Sequence, residues 1–186
     1  MEEILMDPTN SIPTFHLWAR SVIAVVSVCI AVAAFIYHWS KTRRHYDWQK
    51  KVQALSYSLS KNERMRVARV ELTREFKLSS RKTPVPLDVF LEKFDEKDDL
   101  YPCARDLLGH WENMSLAIEL EIVDEDVAFK MVAGMFITYA YQFQEFIQHR
   151  RSENKRAYEF YEKVVREWQD NEHLDENLRN MSINFG

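Results

Sequence analysis

The feature that most constrains this chain is an uninterrupted apolar stretch close to its first residues. Ser21 to Tyr37, SVIAVVSVCIAVAAFIY, is 17 residues long and contains no charge, glycine or proline. As a helix with a rise of about 1.5 Å per residue it spans roughly 25 Å, and Arg20 can extend its guanidinium outward to lipid headgroups. Trp18 and Trp39 lie where an interfacial aromatic belt is expected. The sequence therefore predicts a transmembrane helix over residues 17–39.

Two other interpretations of this stretch fit less well. A cleaved signal peptide needs a positive start and a shorter apolar run, whereas residues 1–16 contain Glu2, Glu3 and Asp7 and no base. A buried helix of a soluble protein rarely has flanking aromatic residues at both ends and a cluster of bases directly behind it. A single-pass membrane protein remains the prediction.

The distribution of bases predicts how the helix is oriented. Five bases follow the apolar stretch against a single acid, Asp47, whereas only Arg20 precedes it. Cytoplasmic flanks are enriched in bases, so residues 1–16 are predicted to be a short extracytoplasmic tail and the rest to lie in the cytoplasm, at the inner (cytoplasmic) membrane. The five bases are also predicted to contact anionic headgroups of the lipid bilayer: Lys41, Arg43, Arg44, Lys50 and Lys51.

Charge is separated strongly along the chain, although the formal net charge is only −4. Residues 38–83 carry 13 bases and 4 acids, and residues 84–186 carry 11 bases and 22 acids. We therefore predict a basic juxtamembrane helical stem over 40–83, an acidic helical bundle over 84–170 and a C-terminal tail over 171–186. Nucleic acid is not an expected partner, because the largest folded region repels phosphate and no reading motif is present.

Only 3 glycines and 5 prolines occur in 186 residues, and the periodicity is helical throughout, so the predicted fold class is all-α. The membrane helix is predicted to continue as an amphipathic stem with one apolar stripe of Trp48, Val52, Leu55 and Leu59. A capping box, Ser60 to Glu63, predicts the next helix over residues 61–77. The segment from Leu78 to Pro86 breaks the pattern and is interpreted as a hinge.

Four further helices are predicted beyond this segment. The first is short and has Pro86 in its first turn. The second covers residues 103–121, and the third begins after the N-cap Asp124 and runs to about His149. The last follows a polar break at 149–156 and ends near Asp170. The remaining residues are predicted to fray or to dock through Leu174, Leu178 or Phe185.

The run from Leu107 to Trp168 carries a family resemblance. It contains a Leu-Leu pair, an aromatic-Glu pair at Trp111 and Glu112, an acidic turn at residues 124–126, a long aromatic helix, an arginine-rich break and a closing tryptophan. This pattern resembles a bacterial family of membrane-anchored helical proteins catalogued only as a domain of unknown function. The resemblance implies the architecture and a bacterial source, and no reaction, cofactor or partner. The chain departs from the pattern at Glu121, where many relatives have glycine, and this puts their left-handed helix ending in question here.

No catalytic, cofactor or metal motif is found, and no small-molecule substrate is identified. Two glutamates seven residues apart, Glu112 and Glu119, suggest either a carboxylate pocket or, more simply, a structural pair with Arg150 or Arg151. Most aromatic residues of the last helices must form the core, but Phe129, Tyr141 and Phe160 point away from the inward stripes and are candidates for a partner surface.

The predicted span offers one further pattern. Ala24, Ser27, Ala31 and Ala34 follow in steps of three, four and three, which places small side chains along one helix face and favours close helix packing in lipid. A homo-oligomer, or pairing with another membrane protein, is therefore expected.

Three classes of function remain. The first is a membrane-tethered noncatalytic interaction or scaffold module at the inner leaflet that associates with itself or a partner, with stress or phage response as its setting. The second is an oligomeric membrane-perturbing effector, and the third is an enzyme with an unrecognised site.

Overall fold

The computed structural model describes residues 12–59 and 62–185, and in this part of the chain all regular secondary structure is helical. The helices are α1 Ile12–Ser56, α2 Glu63–Glu75, α3 Leu87–Glu96, α4 Leu100–Glu119, α5 Glu125–Gln142, α6 Gln144–Glu153, α7 Glu159–Gln169 and α8 Glu176–Arg179. The chain divides into two compact units between Asp47 and Trp48. The all-α prediction is confirmed.

Helix α1 is long and apolar enough to cross a membrane. Its apolar 18-residue window has a mean hydropathy of 2.4, and none of that window is buried within the protein. The apolar side chains Ile23, Val25 and Ile30 are each more than 60% exposed, at 65%, 63% and 64%. The helix therefore contributes none of this apolar surface to a protein core.

The last turns of α1 belong to the second unit and pack within it. Ala54 is fully buried, and the carbonyl of Lys50 accepts a hydrogen bond from the Asp124 N–H at 3.3 Å. Trp48, Val52 and Leu55 are instead 64%, 45% and 44% exposed. Two residues correspond to about 200° around a helix, so the predicted apolar stripe lies opposite the face that packs. The fourth member of that stripe, Leu59, is buried but follows the end of the helix.

Helix α2 belongs to the same compact unit as the bundle and not to a separate stem. It buries Met65, Ala68 and Leu72 and packs chiefly against α4. Its N-cap is Asn62, whose side-chain oxygen accepts a hydrogen bond from the Met65 N–H at 3.3 Å. The predicted cap, Ser60, lies outside the described residues. The predicted domain boundary near residue 83 therefore falls inside a packed unit.

The segment interpreted as a hinge is docked on α5. Leu78 and Val85 are buried, and both bond to Gln142: its side-chain amide donates to the Leu78 carbonyl at 2.8 Å, and its own carbonyl accepts from the Val85 N–H at 3.0 Å. At the start of α3, the Leu87 N–H donates to the Glu145 carboxylate at 2.8 Å. These bonds fix both ends of the segment, which corrects the hinge interpretation.

Helix α4 begins at Leu100, three residues earlier than predicted, with Pro102 inside its first turn, where a missing N–H costs no hydrogen bond. It ends in a left-handed residue: Glu121 has φ 54°, and the Ile122 N–H donates to the Ala117 carbonyl at 2.9 Å. This is the Schellman arrangement of hydrogen bonds, formed without glycine.

The aromatic helix predicted as one piece is two. Asp124 caps α5 by accepting from the Val127 N–H at 3.1 Å, as predicted, but the helix ends at Gln142 and α6 begins at Gln144. Phe143, between them, is buried with φ −101° and ψ 8°. Beyond α7, the residues predicted to fray or dock are docked, since Leu174 and Phe185 are buried.

The core is dominated by aromatic side chains from every layer of the bundle. Phe90 of α3 lies 5.1 Å from Phe143 and 5.5 Å from Phe146, measured between ring centroids. Phe136 of α5 lies 4.5 Å from Tyr161 and 4.7 Å from Trp168. Such pairs add about 0.5 to 1.5 kcal/mol each to their burial.

The three aromatic residues proposed for a partner surface are half-buried and not fully exposed. Phe129 meets Trp168 edge to face at 5.4 Å, and the Tyr141 hydroxyl donates to the Lys82 carbonyl at 3.3 Å. Of the three, Phe129 packs against the core.

Candidate functional site

A large open groove lies between α2 and the start of α4. Its volume is about 1120 Å³. Val67 and Ala68 line it from α2, and Leu100, Pro102 and Cys103 line it from α4. Ala68, Pro102 and Cys103 have short side chains that do not fill the space between the two helices, and the groove remains open there. The groove thus has an apolar floor.

The rim of the groove is charged and partly neutralised. Arg64 pairs with Asp106, Arg74 pairs with Glu71 and contacts Glu75 at 3.2 Å, and Lys97 reaches Glu75 at 2.5 Å. The Lys97 hydrogen bond lowers the pKa of Glu75, so this carboxylate remains charged.

Two carboxylates at one end of the rim, Asp98 and Asp99, form no ion pair in the part of the chain that the structure describes. The groove is lined by five acids and three bases: Glu63, Glu71, Asp98, Asp99 and Asp106 against Arg64, Arg74 and Lys97. The lining thus combines an apolar floor with an excess of acidic side chains.

The groove offers little for catalysis. Burial, and then the neighbouring Asp99, raise the pKa of the Cys103 thiol, which disfavours the thiolate that a nucleophile needs. Among the described residues, no group of three or more His, Cys, Asp or Glu side chains is arranged to hold a metal ion.

Glu112 has a structural role that the sequence did not indicate. Its carboxylate accepts hydrogen bonds from the N–H groups of Tyr161 at 2.7 Å and Phe160 at 3.3 Å, in the first turn of α7. The residue at the usual capping position, Tyr158, has φ 59° and provides no side-chain cap. Glu112 therefore caps α7 from α4. Burial raises its pKa, against the opposing effect of these two hydrogen bonds.

The other members of the predicted polar set have different partners from the predicted ones. Glu119 pairs with Lys163, Arg150 pairs with Glu153, and Arg151 pairs with Glu162. Arg151 also donates to the carbonyls of Ala157 at 3.0 Å and Phe185 at 3.2 Å, which ties the C-terminal segment to α6. The predicted direct pairing of Glu112 or Glu119 with Arg150 or Arg151 is replaced by these contacts.

The small residues of the predicted seam, Ala24, Ser27, Ala31 and Ala34, are all exposed on α1. The Ser27 hydroxyl donates to the Ile23 carbonyl at 2.8 Å, so its polarity is satisfied within the helix. Close approach of another helix to this face would leave no unpaired hydroxyl behind.

The five predicted headgroup bases separate into two groups. Lys41, Arg43, Arg44 and Lys51 are exposed, whereas Lys50 is only 21% exposed and contacts the Glu121 carboxylate at 3.5 Å. Lys50 therefore serves the packing of the α1 end onto the bundle.

Sequence reasoning did not find the groove. The sequence signal there is weak: Val67 is 48% exposed on α2, but so is Val70, at 55%, which does not line the groove. Exposed valines are common, so only the placement of α2 beside α4 makes Val67 informative.

Comparison with known families now places the chain. A family model described as Domain of unknown function (DUF4760) matches residues 21–168. The chain belongs to this family. The match extends beyond the Leu107–Trp168 resemblance to include most of α1 and all of α2 and α3.

No curated protein matches the chain. No solved structure matches it either.

Proposed function

We propose that this member of the family is a single-pass, membrane-tethered, noncatalytic interaction module whose bundle lies at the inner leaflet and binds itself or another membrane protein. The observation that carries the proposal is the apolar window of α1, none of which is buried. Each large apolar side chain such as Ile23 or Ile30 gains about 1.5 to 3 kcal/mol on leaving water. A lipid bilayer provides that environment along the whole window.

The exposed bases after the apolar window support the proposed orientation. Lys41, Arg43, Arg44 and Lys51 favour the cytoplasmic side and attract anionic headgroups by about 1 kcal/mol for each base near the surface. The bundle would then be held close to the bilayer, where other membrane proteins present their cytoplasmic segments.

The groove between α2 and α4 is the proposed partner-binding surface. Its apolar floor and acidic excess fit a cationic amphipathic segment, whose apolar residues would cover Val67 while its bases approach Asp98 and Asp99. Cytoplasmic flanks of membrane helices carry such basic segments, so this partner chemistry agrees with the proposed location.

Membrane insertion is tested by alkaline carbonate extraction and by reporters fused after Gly186. We expect the full chain to stay in the membrane pellet, a cytoplasm-active reporter to work and a periplasm-active reporter to fail. Extraction into the soluble fraction, or the opposite reporter pattern, would contradict the tether or its orientation.

The groove is tested with a photo-crosslinking amino acid placed at Val67, which lines it, or at Val70, which is 55% exposed on α2 but outside it. We expect a discrete crosslinked product in native membranes from position 67 only, and loss of that product when Asp98 and Asp99 are both changed to Lys. Equal products from the two positions, or no effect of the charge reversal, would contradict a specific acidic binding groove.

A further inference from the structure

We propose that the partner of α1 is a second copy of this chain, and that two α1 helices pair in parallel along one heptad seam from Ala24 to Leu55. This inference rests on the proposed membrane tether and names the self-association that the tether would support. Two copies inserted with the same orientation necessarily present their α1 helices in parallel.

The first observation is an unpartnered apolar stripe on the last turns of α1. Trp48, Val52 and Leu55 follow in steps of four and three and are 64%, 45% and 44% exposed. They are the large apolar residues of the last turns of α1, and they follow the uncharged stretch Ser21–Tyr37, so membrane insertion of that stretch does not cover them. Their exposure in water is unfavourable unless another surface covers them.

The second observation is the register of this stripe along the sequence. Counting back from Leu55 in alternating steps of three and four reaches Val52 and Trp48 first. After three polar residues, the same count reaches Ala34, Ala31, Ser27 and Ala24 in the apolar stretch. Helix α1 is unbroken from Ile12 to Ser56, so these residues occupy the a and d positions of one heptad repeat. This is the repeat that two left-handed supercoiled helices bury between them.

The side chains at these positions suit the solvent around each part of the helix. In lipid, association depends on close backbone approach, which alanine and serine permit. In water, it depends on burial of large apolar groups, which Trp48, Val52 and Leu55 provide. One register thus changes residue type where the surrounding solvent is proposed to change.

The third observation is that the bundle packs on the other side of the α1 end. Ala54, which is buried, and Lys50, which contacts Glu121, occupy the outer heptad positions c and f. Trp48, Val52 and Leu55, at the a and d positions, therefore stay accessible while Lys50 and Ala54 pack on the bundle.

The area of the seam is that of a weak dimer, which confinement of both copies to one bilayer would favour. From Ala24 to Leu55 the helix is roughly 47 Å long, and a strip about 10 Å wide covers about 470 Å² of each copy. Two copies would bury about 940 Å², close to the lower bound of about 1,000 Å² for a specific interface.

Three polar residues interrupt the seam at the middle of α1, namely His38, Lys41 and His45. Polar residues at a or d positions cost stability but restrict the register and the number of strands, and Lys41 can extend its ammonium group away from the axis. They favour one parallel pairing over shifted alternatives.

Oxidative crosslinking of single cysteines in the full chain tests this seam. In a background with Cys29→Ser and Cys103→Ser, seam variants Ala31→Cys and Val52→Cys are compared with Ile36→Cys and Gln53→Cys, which occupy f and b positions. In native membranes we expect at least fivefold more disulfide-linked dimer from the two seam positions than from their controls.

The second measurement removes the contact instead of trapping it. Val52→Asp together with Ala31→Leu is expected to lower crosslinking through Leu55→Cys at least fivefold, while Ile36→Leu leaves it unchanged. A membrane-bound chain that crosslinks equally at seam and control positions, or not at all, overturns the dimer and leaves the tether standing. A chain found in the soluble fraction overturns the proposed function itself.

Discussion

The left-handed conformation at Glu121 is strained, and relieving it should stabilise the protein. A non-glycine residue in this conformation costs about 1 to 2 kcal/mol. Glycine avoids this strain, but it loses more conformational entropy on folding, which offsets part of the gain in stability. We expect Glu121→Gly to raise the free energy of unfolding by about 0.5 kcal/mol, measured by urea unfolding of the detergent-solubilised chain.

Glu121→Ala is the matched control, because it removes the same contact with Lys50 without relieving the backbone. We expect it to be less stable than Glu121→Gly by about 1 kcal/mol. Equal stabilities of the two variants would show that the φ of 54° stores no strain.

A second residue, Glu112, links stability to pH. Burial raises the pKa of its carboxyl above the ordinary value of 4.5, so the folded state binds the proton more tightly than the unfolded state does. Its contribution is fully present below pH 4.5 and is lost as pH rises through the raised folded-state pKa. We therefore expect the stability of the natural protein relative to Glu112→Gln to fall as pH rises from 4.5 towards 7, measured by urea unfolding at several pH values.

The alanine variant separates this charge effect from capping. Glu112→Ala leaves the N–H groups of Phe160 and Tyr161 without their acceptor, and we expect it to be less stable than Glu112→Gln by about 1 to 2 kcal/mol at every pH in the same range. A stability difference between the natural protein and Glu112→Gln that does not change with pH would contradict the raised pKa.

Among the structural elements, the segment from Leu78 to Pro86 behaves as a strap and not as a hinge. Gln142→Ala removes the donor to the buried Leu78 carbonyl, and we expect a loss of about 1 to 3 kcal/mol and faster tryptic cleavage after Arg81 and Lys82. Tyr141→Phe, which removes only the exposed contact with the Lys82 carbonyl, should change little. Rapid cleavage of the natural protein at the same sites would contradict the docking.

The elements that the sequence predicted well are those with local signals. Asp124 caps α5 by accepting a hydrogen bond from an N–H three residues later, and Pro86 lies directly before α3, one residue from the first helical position that proline favours. Gln142 gives no local signal that it will bond two residues more than fifty positions away, so the strap was read as a hinge. For α1, periodicity shows that Trp48 and Val52 share a face, but not which surface covers that face. The groove required the placement of α2 on α4, which no spacing specifies.

At the scale of the whole molecule, the division after Asp47 separates an apolar helix from a unit with its own core. The core cluster extends from Ala54 to Phe185, and the described residues of the first unit contribute none of its buried side chains. Folding of the bundle and insertion of the helix are thus predicted to be independent events.

Two truncations test this independence. A fragment beginning at Trp48 retains Ala54, Leu59 and the bond from the Asp124 N–H to the Lys50 carbonyl, so we expect a soluble helical domain with a cooperative thermal transition by circular dichroism. A fragment beginning at Asn62 loses all three contacts, and comparable deletions of buried side chains cost about 2 to 5 kcal/mol. We therefore expect its melting temperature to be lower by at least about 4 °C, because a domain of this size shifts by about 2 to 8 °C for each kcal/mol. Equal melting temperatures would show that the end of α1 is not part of the folded unit, and a Trp48 fragment without a cooperative transition would show that the bundle depends on the membrane helix.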